Sequence, residues 1–355
     1  MHRLFGPGVF LAINVFLLVA GIPFGRVARA VGQTEEQEFM VPASDAGIQL
    51  YVRNKHPSGQ TAFSTERVLI YVHGATYPSE TMFDLPVGGA SMMDILAARG
   101  WDTWLLDVRG YGRSTRPLEM DKPAADNGPI VDTATAARDL SSVVEFVRQR
   151  RRLDKVNLMG WSWGTAILGL YTTTHNAEVA RLVLYAPQWL DKASVPQDAP
   201  RLGAYRTVTR DVARSRWLKG IPDDKQASLI PPGWFELWAD ATFATDPVGA
   251  RQTPPVLRAP NGVAQDYRAY WMSGKPLYQP SDITVPTLLI DAEWDADLPT
   301  YMAAAYFAEL KNAPYKRWVQ LGEGTHMVMV EKNRMQFIHE VELFLEEAEP
   351  QGLSH

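Results

Sequence analysis

The chain has 355 residues and a formal net charge of −5, with 46% hydrophobic and 21% charged residues. This balance is typical of a globular protein and provides no basic surface that would favour nucleic acid as a partner. The absence of cysteine excludes disulfides, thiolate metal sites and cysteine nucleophiles. Seven histidines without an H-E-x-x-H pair give no support for a metal site.

The first thirty residues differ in composition from the rest. An apolar run from Val9 to Ala20 follows a basic start, and Ala28-Arg29-Ala30 has the small-x-small form of a signal-peptidase site. We therefore expect residues 1–30 to be a signal peptide that directs the protein to the periplasm or out of the cell. An uncleaved membrane anchor is the alternative, because the apolar region approaches spanning length and arginines follow it.

Strand-like and helical segments alternate along most of the remaining chain. Strands are predicted at 48–54, 67–73, 101–106, 155–160, 180–185, 286–290 and 316–321, and helices at 89–99, 133–150, 163–175, 299–311 and 330–347. Such alternation predicts an α/β fold with a mostly parallel sheet and helices on both faces. It stops after Pro187. Residues 188–280 are therefore expected to be a cap or lid insertion between two parts of one core, 31–187 and 281–355.

The strongest local motif is Gly160-Trp161-Ser162-Trp163-Gly164, a G-x-S-x-G between a predicted strand and a predicted helix. A tight strand-to-helix turn holds a serine in strained backbone geometry with its oxygen clear of the sheet, and it requires small residues on either side. The following helix directs its N-terminal dipole towards a developing oxyanion. This context predicts that Ser162 is a nucleophile.

Two other segments carry the groups that such a nucleophile requires. His73-Gly74-Ala75 ends a predicted buried strand, and the backbone N–H groups of Ala75 and Trp163 are predicted to form the oxyanion hole. His73 itself is interpreted as structural, with a buried and hydrogen-bonded ring. His326 follows the last predicted strand and is predicted to be the general base, because the base comes last in the chain order of this arrangement.

The residue that orients the base is expected in the loop after the 286–290 strand, which contains four carboxylates. Asp295 is predicted for this role, because it lies near the middle of the loop, from where it can reach the Nδ1 atom of His326. Asp291, at the end of the strand, and Asp297, beside the next helix, remain alternatives.

With these residues in this order, the sequence resembles the α/β-hydrolase superfamily from about Arg67 to the C-terminal helix. The segment from Asp107 to Ser114, Asp-Val-Arg-Gly-Tyr-Gly-Arg-Ser, is similar to the D-x-R-G-x-G-x-S stretch of capped members. These include prolyl iminopeptidase-like enzymes, epoxide hydrolases and haloperoxidase-like esterases. The resemblance implies a structural role for Asp107 and Arg109, in a turn that braces the active-site base. The elbow serine, where epoxide hydrolases and haloalkane dehalogenases have aspartate, argues against both of those activities.

The sequence thus predicts a serine hydrolase that needs no cofactor, and most directly a carboxylic ester hydrolase. An aminopeptidase or amidase with the same triad is the alternative, and it requires an acidic site in the insertion, for which Asp240, Asp246 and Asp266 are candidates. A non-catalytic binding protein is disfavoured by the presence of the full triad. The aromatic residues of the insertion predict a small-molecule ester with apolar or aromatic groups in preference to charged ones.

Overall fold

Hydrophobic strands and helices alternate around one central sheet in the computed structural model, which describes residues 1–2 and 33–347. The expected signal peptide or anchor and its cleavage site lie outside the described residues. Within residues 33–347, no helix is both long enough and apolar enough to cross a membrane.

The strands are β1 (Thr34–Pro42), β2 (Gln49–Pro57), β3 (Val68–Val72), β4 (Asp102–Leu106), β5 (Val156–Trp161), β6 (Val179–Tyr185), β7 (Tyr205–Thr209), β8 (Val256–Pro260), β9 (Thr287–Ala292) and β10 (Lys316–Leu321). The α-helices are α1 (Ser79–Phe83), α2 (Met92–Ala98), α3 (Thr133–Arg151), α4 (Trp163–His175), α5 (Arg210–Trp217), α6 (Gln226–Leu229), α7 (Trp234–Ala244), α8 (Gly262–Asp266), α9 (Thr300–Glu309) and α10 (Arg334–Glu346).

The central sheet has eight strands in the order β1-β2-β4-β3-β5-β6-β9-β10. The six strands from β4 to β10 in this order run parallel, whereas β2 pairs antiparallel with both β1 and β4. Every residue of β3, β4, β5 and β9 is buried, as expected for parallel strands that helices cover on both faces. The predicted α/β class with a mostly parallel sheet is confirmed.

The chain leaves the central sheet after β6 and returns to it at β9, so the predicted insertion at 188–280 lies between these two strands. Within it, β7 and β8 form a small antiparallel sheet, accompanied by α5 to α8. Its large rings pack mainly on one another. Trp217 meets Trp238 edge to face with ring centroids 5.1 Å apart, and Trp271 is fully buried beside Trp189. These aromatic residues therefore form mostly hydrophobic core.

Four loops at one edge of the central sheet position the predicted site. Ala75 follows β3, Ser162 follows β5, Asp295 follows β9 and His326 follows β10. Because these strands are parallel, their carboxyl ends meet at the same edge, where open α/β sheets bind their ligands. The topology thereby brings together residues that are up to 251 positions apart in the chain.

Candidate active site

Ser162 occupies a sharp turn between β5 and α4. Its backbone angles are φ 57° and ψ −122°, a strained combination for a residue with a side chain. A Cβ atom on Gly160 would lie 2.6 Å from the carbonyl oxygen of Gly164, and one on Gly164 would lie 2.5 Å from that of Val72. Only glycine fits at either position, so the spacing of the motif is a steric requirement of the turn.

His326 and Asp295 form the expected pair. The Nδ1 atom of His326 lies 2.7 Å from Oδ2 of Asp295. The other carboxylate oxygen, Oδ1, accepts the backbone N–H groups of Asp297 and Leu298, each at 2.9 Å. These bonds fix the carboxylate, so that Nδ1–H donates to it and Nε2 is left for the substrate side. His326 also lines one cavity together with Ser162.

The two alternative carboxylates have other partners. Asp291 accepts hydrogen bonds from the Trp318 indole at 2.7 Å and the Gln320 amide at 3.1 Å, on the strand next to its own. Asp297 pairs with Arg216 of the insertion, with 2.5 Å between Oδ2 and Nε. Of the three candidates, the structure places only Asp295 against the imidazole of His326.

His73 holds the loop that carries the predicted oxyanion donor. Val108 donates its backbone N–H to Nε2 of His73 at 3.0 Å, so the ring proton is on Nδ1, which donates to the Gly74 carbonyl at 2.6 Å. Burial lowers the pKa of His73 to about 4, which keeps this neutral form at physiological pH. The Gly74 carbonyl shares a peptide plane with the N–H of Ala75. The ring therefore fixes the direction of that donor.

The turn from Asp107 to Ser114 braces the same loop. Tyr111 donates its hydroxyl hydrogen to the Ala75 carbonyl at 2.8 Å, and Val108 contacts His73 as described above. The resemblance implied that this turn braces the base instead. The sheet order explains the difference, because the turn follows β4, the neighbour of β3, whereas His326 follows β10 at the far edge.

Three further residues hold the His326 loop, and the sequence analysis did not identify them. The indole of Trp161 donates to the His326 carbonyl at 2.8 Å, and the hydroxyl of Tyr185 donates to the Thr325 carbonyl at 2.5 Å. The carboxylate of Glu331 accepts the Thr325 N–H at 3.0 Å and also its hydroxyl.

Glu331 also ties this loop to the insertion. The Trp217 indole donates to it at 2.8 Å. Burial raises the pKa of Glu331 to about 7. One feature of the sequence could have pointed to Glu331. It directly follows the apolar run Met327-Val-Met-Val330, which places a carboxyl group next to a buried segment.

Two cavities open at Ser162. The narrow cavity, of about 20 Å³, contains His326 and is walled by Tyr77, Trp161 and Trp217. The wide cavity, of about 370 Å³, lies on the Trp163 side. Its walls combine apolar and cationic side chains, namely Val263, Tyr267, Met272, Leu298, Arg206, Arg216 and Arg268.

The acidic residues considered for an amine-binding site lie elsewhere. Asp240 pairs with Arg210, Asp246 lies 2.7 Å from the Arg258 guanidinium, and Asp266 accepts the Thr133 N–H at 2.6 Å. Within residues 33–347, Asp297 is the one carboxylate that lines either cavity. The same part of the chain contains no group of three or more acidic or histidine side chains placed to hold a metal ion.

The fold matches a known class. A family model described as the alpha/beta hydrolase fold matches residues 67–332. The chain belongs to this alpha/beta hydrolase family.

Individual relatives are distant. The chain is 24% identical over 147 residues to gastric triacylglycerol lipase of Rattus norvegicus, a match that covers 41% of the chain but only 37% of the lipase. It is 22% identical over 305 residues to proline iminopeptidase of Lactobacillus delbrueckii subsp. bulgaricus, covering 76% of the chain and 87% of the peptidase. An esterase structure from Exiguobacterium antarcticum shares the fold with a TM-score of 0.55 at 18% identity, covering 88% of this chain and all of that one.

Proposed function

We propose that the protein is a serine hydrolase that cleaves carboxylic esters through an acyl-enzyme. The observation that carries this proposal is the combination of Ser162 on its strained turn with the His326–Asp295 pair, 2.7 Å apart, at the same edge of the sheet. A nucleophile, a base and an orienting acid in this chain order are the parts that acyl transfer requires.

Each group has a defined task. Oγ of Ser162 attacks the ester carbonyl while Nε2 of His326 takes the hydroxyl proton, and Asp295 stabilises the resulting imidazolium. The N–H groups of Ala75 and Trp163 bind the oxyanion. His326 then gives its proton to the departing alcohol oxygen, which leaves an acyl group on Ser162. Water, deprotonated by the same histidine, hydrolyses this acyl-enzyme and restores the serine.

The charge of the cavities favours esters over the aminopeptidase alternative. A substrate ammonium group needs a carboxylate partner, and the one that lines the cavities, Asp297, is already paired with Arg216. The insertion contributes arginines to this region instead. The similarity to a proline iminopeptidase keeps the alternative open to experiment.

The two cavities also suggest how an ester would be placed. The leaving alcohol must lie beside His326, which lines the narrow cavity, so we infer a small alcohol. The acyl group then extends into the wide cavity, past Val263, Met272 and Leu298. These walls support the proposal of apolar acyl groups, and they favour a role for the insertion as a cap over the acyl group.

The test compares ethyl and p-nitrophenyl esters of acetate, butyrate, hexanoate and benzoate with the anilides of proline and alanine. We expect the esters to have the higher kcat/KM. Ser162→Ala should remain folded and lose ester turnover by a factor on the order of 10⁴ or more, whereas Ser273→Ala, on an exposed serine of the insertion, should behave as wild type. An organophosphonate should label Ser162. Labelling of another serine, or faster cleavage of the anilides, would overturn the proposal.

A further inference from the structure

Arg206, on β7 of the insertion, faces the wide cavity beside Ser162. Its Nη1 donates to the Pro260 carbonyl at 2.6 Å, and its Nη2 donates to the Ala75 carbonyl at 2.5 Å and to the Thr76 hydroxyl at 3.0 Å. All of these acceptors are neutral. Within residues 33–347, no carboxylate lies within 4.0 Å of this guanidinium.

Two of the arginines that are buried in this protein are neutralised by a carboxylate, whereas a third, Arg334, donates to the Ala90 carbonyl. Arg109 is paired with Asp139, with 2.5 Å between the closest atoms, and Arg258 with Asp246 at 2.7 Å. Arg206 is half-buried, and a cation that has lost part of its hydration without such a partner costs free energy. Burial lowers the pKa of Arg206, but a guanidinium stays protonated at neutral pH. A full positive charge therefore faces the cavity.

The charge balance of the cavity points in the same direction. Arg206, Arg216 and Arg268 line it, and Asp297 is the one carboxylate in its lining among the described residues. Asp297 neutralises Arg216, so no carboxylate of this lining is left for the other two arginines. An anionic group on the substrate would supply the missing partner, through a charge-assisted hydrogen bond with the guanidinium.

We propose that Arg206 binds a carboxylate on the acyl part of the substrate, so that preferred esters are half-esters of short dicarboxylic acids with a small alcohol. This inference rests on the proposed ester hydrolysis. The carboxylate belongs to the acyl part because Arg206 lines the wide cavity, whereas the alcohol lies beside His326 in the narrow one. Nη2 of Arg206 donates to the carbonyl of Ala75, so the guanidinium lies close to the proposed oxyanion hole. The chain between the ester carbonyl and the carboxylate must therefore be short.

The proposal departs from the preference against charged groups that the aromatic residues of the insertion suggested. It retains apolar walls around the acyl chain, and it adds a site for one negative charge. A cationic ester should be disfavoured by the same arginines.

The test uses esters that differ in charge and are matched in shape. Monoethyl glutarate is compared with ethyl 5-methylhexanoate, in which an isopropyl group replaces the carboxylate, and with cationic ethyl 4-(trimethylammonio)butanoate. We expect kcat/KM to be at least about tenfold higher for the anionic ester than for the neutral one, the worth of a hydrogen bond to a charged group. The ratio should fall as ionic strength rises.

Variants separate binding of the anion from support of the loop. Arg206→Gln should abolish the anionic-to-neutral ratio, Arg206→Lys should keep part of it, and Asp297→Asn should increase it by freeing Arg216. Since Arg206 also supports the Ala75 loop, its loss is expected to slow every ester. If Arg206→Gln slows all esters equally and leaves the ratio unchanged, or if wild type shows no anionic preference, the proposal is wrong.

A binding measurement keeps this inference separate from the proposed function. Monoethyl glutarate should bind Ser162→Ala in calorimetry, and the added Arg206→Gln change should weaken that binding by at least about tenfold. Arg206-dependent binding without hydrolysis of any ester would support the anion site and overturn the esterase proposal. Ester hydrolysis with Arg206-independent binding would overturn the anion site alone.

Discussion

The indole Nε1 of Trp161 donates a hydrogen bond of 2.8 Å to the backbone carbonyl of His326. The two rings also lie together, with centroids 5.2 Å apart. Trp161 is the last residue of β5 and directly precedes Ser162. One strand end therefore both carries the proposed nucleophile and holds the loop of the proposed base, which links their relative positions.

Replacing Trp161 with Phe removes this bond while keeping an aromatic ring. We expect kcat to fall by about tenfold with little change in KM, because one hydrogen bond that positions the base is lost. Trp104→Phe is the matched control, since its indole donates to the Asp102 carboxylate at 2.6 Å, on β4 and away from His326. Steady-state kinetics and the rate of phosphonate labelling at Ser162 measure the effect. Equal losses of kcat in both variants would contradict it.

Asp295→Asn should reduce kcat by about 10²–10⁴, because the amide favours the wrong imidazole tautomer. Asp291→Asn should leave kcat near wild type and act mainly on stability, through its bonds to Trp318 and Gln320. Asp297→Asn should change substrate preference more than kcat. Kinetics with one neutral ester, alongside thermal unfolding of each variant, decide among the three. A crippling effect of Asp291→Asn would move the orienting role to that residue.

Glu331 predicts a pH dependence of stability. Burial raises its pKa from 4.5 to about 7 in the folded protein, so the folded state holds a proton that the unfolded state releases. The stability that the protonated Glu331 carboxyl provides is fully present below pH 4.5 and is lost as the pH rises through about 7.

Glu331→Gln keeps a neutral group at this site. We expect the variant to gain on the order of 2 kcal/mol in unfolding free energy relative to wild type between pH 5 and pH 8. Urea unfolding at several pH values measures this difference. Glu340→Gln, on the partly exposed face of α10, is the control and should show no such trend. A pH-independent difference for Glu331→Gln would argue against the buried carboxyl as its source.

The N-terminal segment gives a prediction about location. Expression with the native leader in a Gram-negative host should yield a mature protein that starts at Val31 in the periplasm, because Ala28-Arg29-Ala30 has the form of a cleavage site. N-terminal sequencing of periplasmic and membrane fractions measures the outcome. An intact leader in the membrane fraction would favour the anchor instead.

The local sequence was enough to predict those elements whose formation depends on residues close together in the chain. Gly160 and Gly164 reveal the serine turn because no Cβ atom fits at either position. The fully apolar segment of β3 reveals a strand buried on both faces. By contrast, β1 was not predicted, since its residues Thr34–Pro42 are mostly polar and exposed and it depends on pairing with β2 at the sheet edge.

Only the tertiary structure decided which distant side chains meet. Nothing in the sequence near Trp161 indicates its contact with the His326 loop, which follows another strand. Nor does the sequence near Glu331 indicate its bond to Trp217 of the insertion. The same holds for the arginines of the insertion. Arg258 pairs with Asp246, whereas Arg206 faces the wide cavity among neutral acceptors. The sequence shows that both side chains are charged. Their burial and pairing depend on residues that are distant in the chain and close in space, and these neighbours decide which arginine keeps a free charge for a substrate.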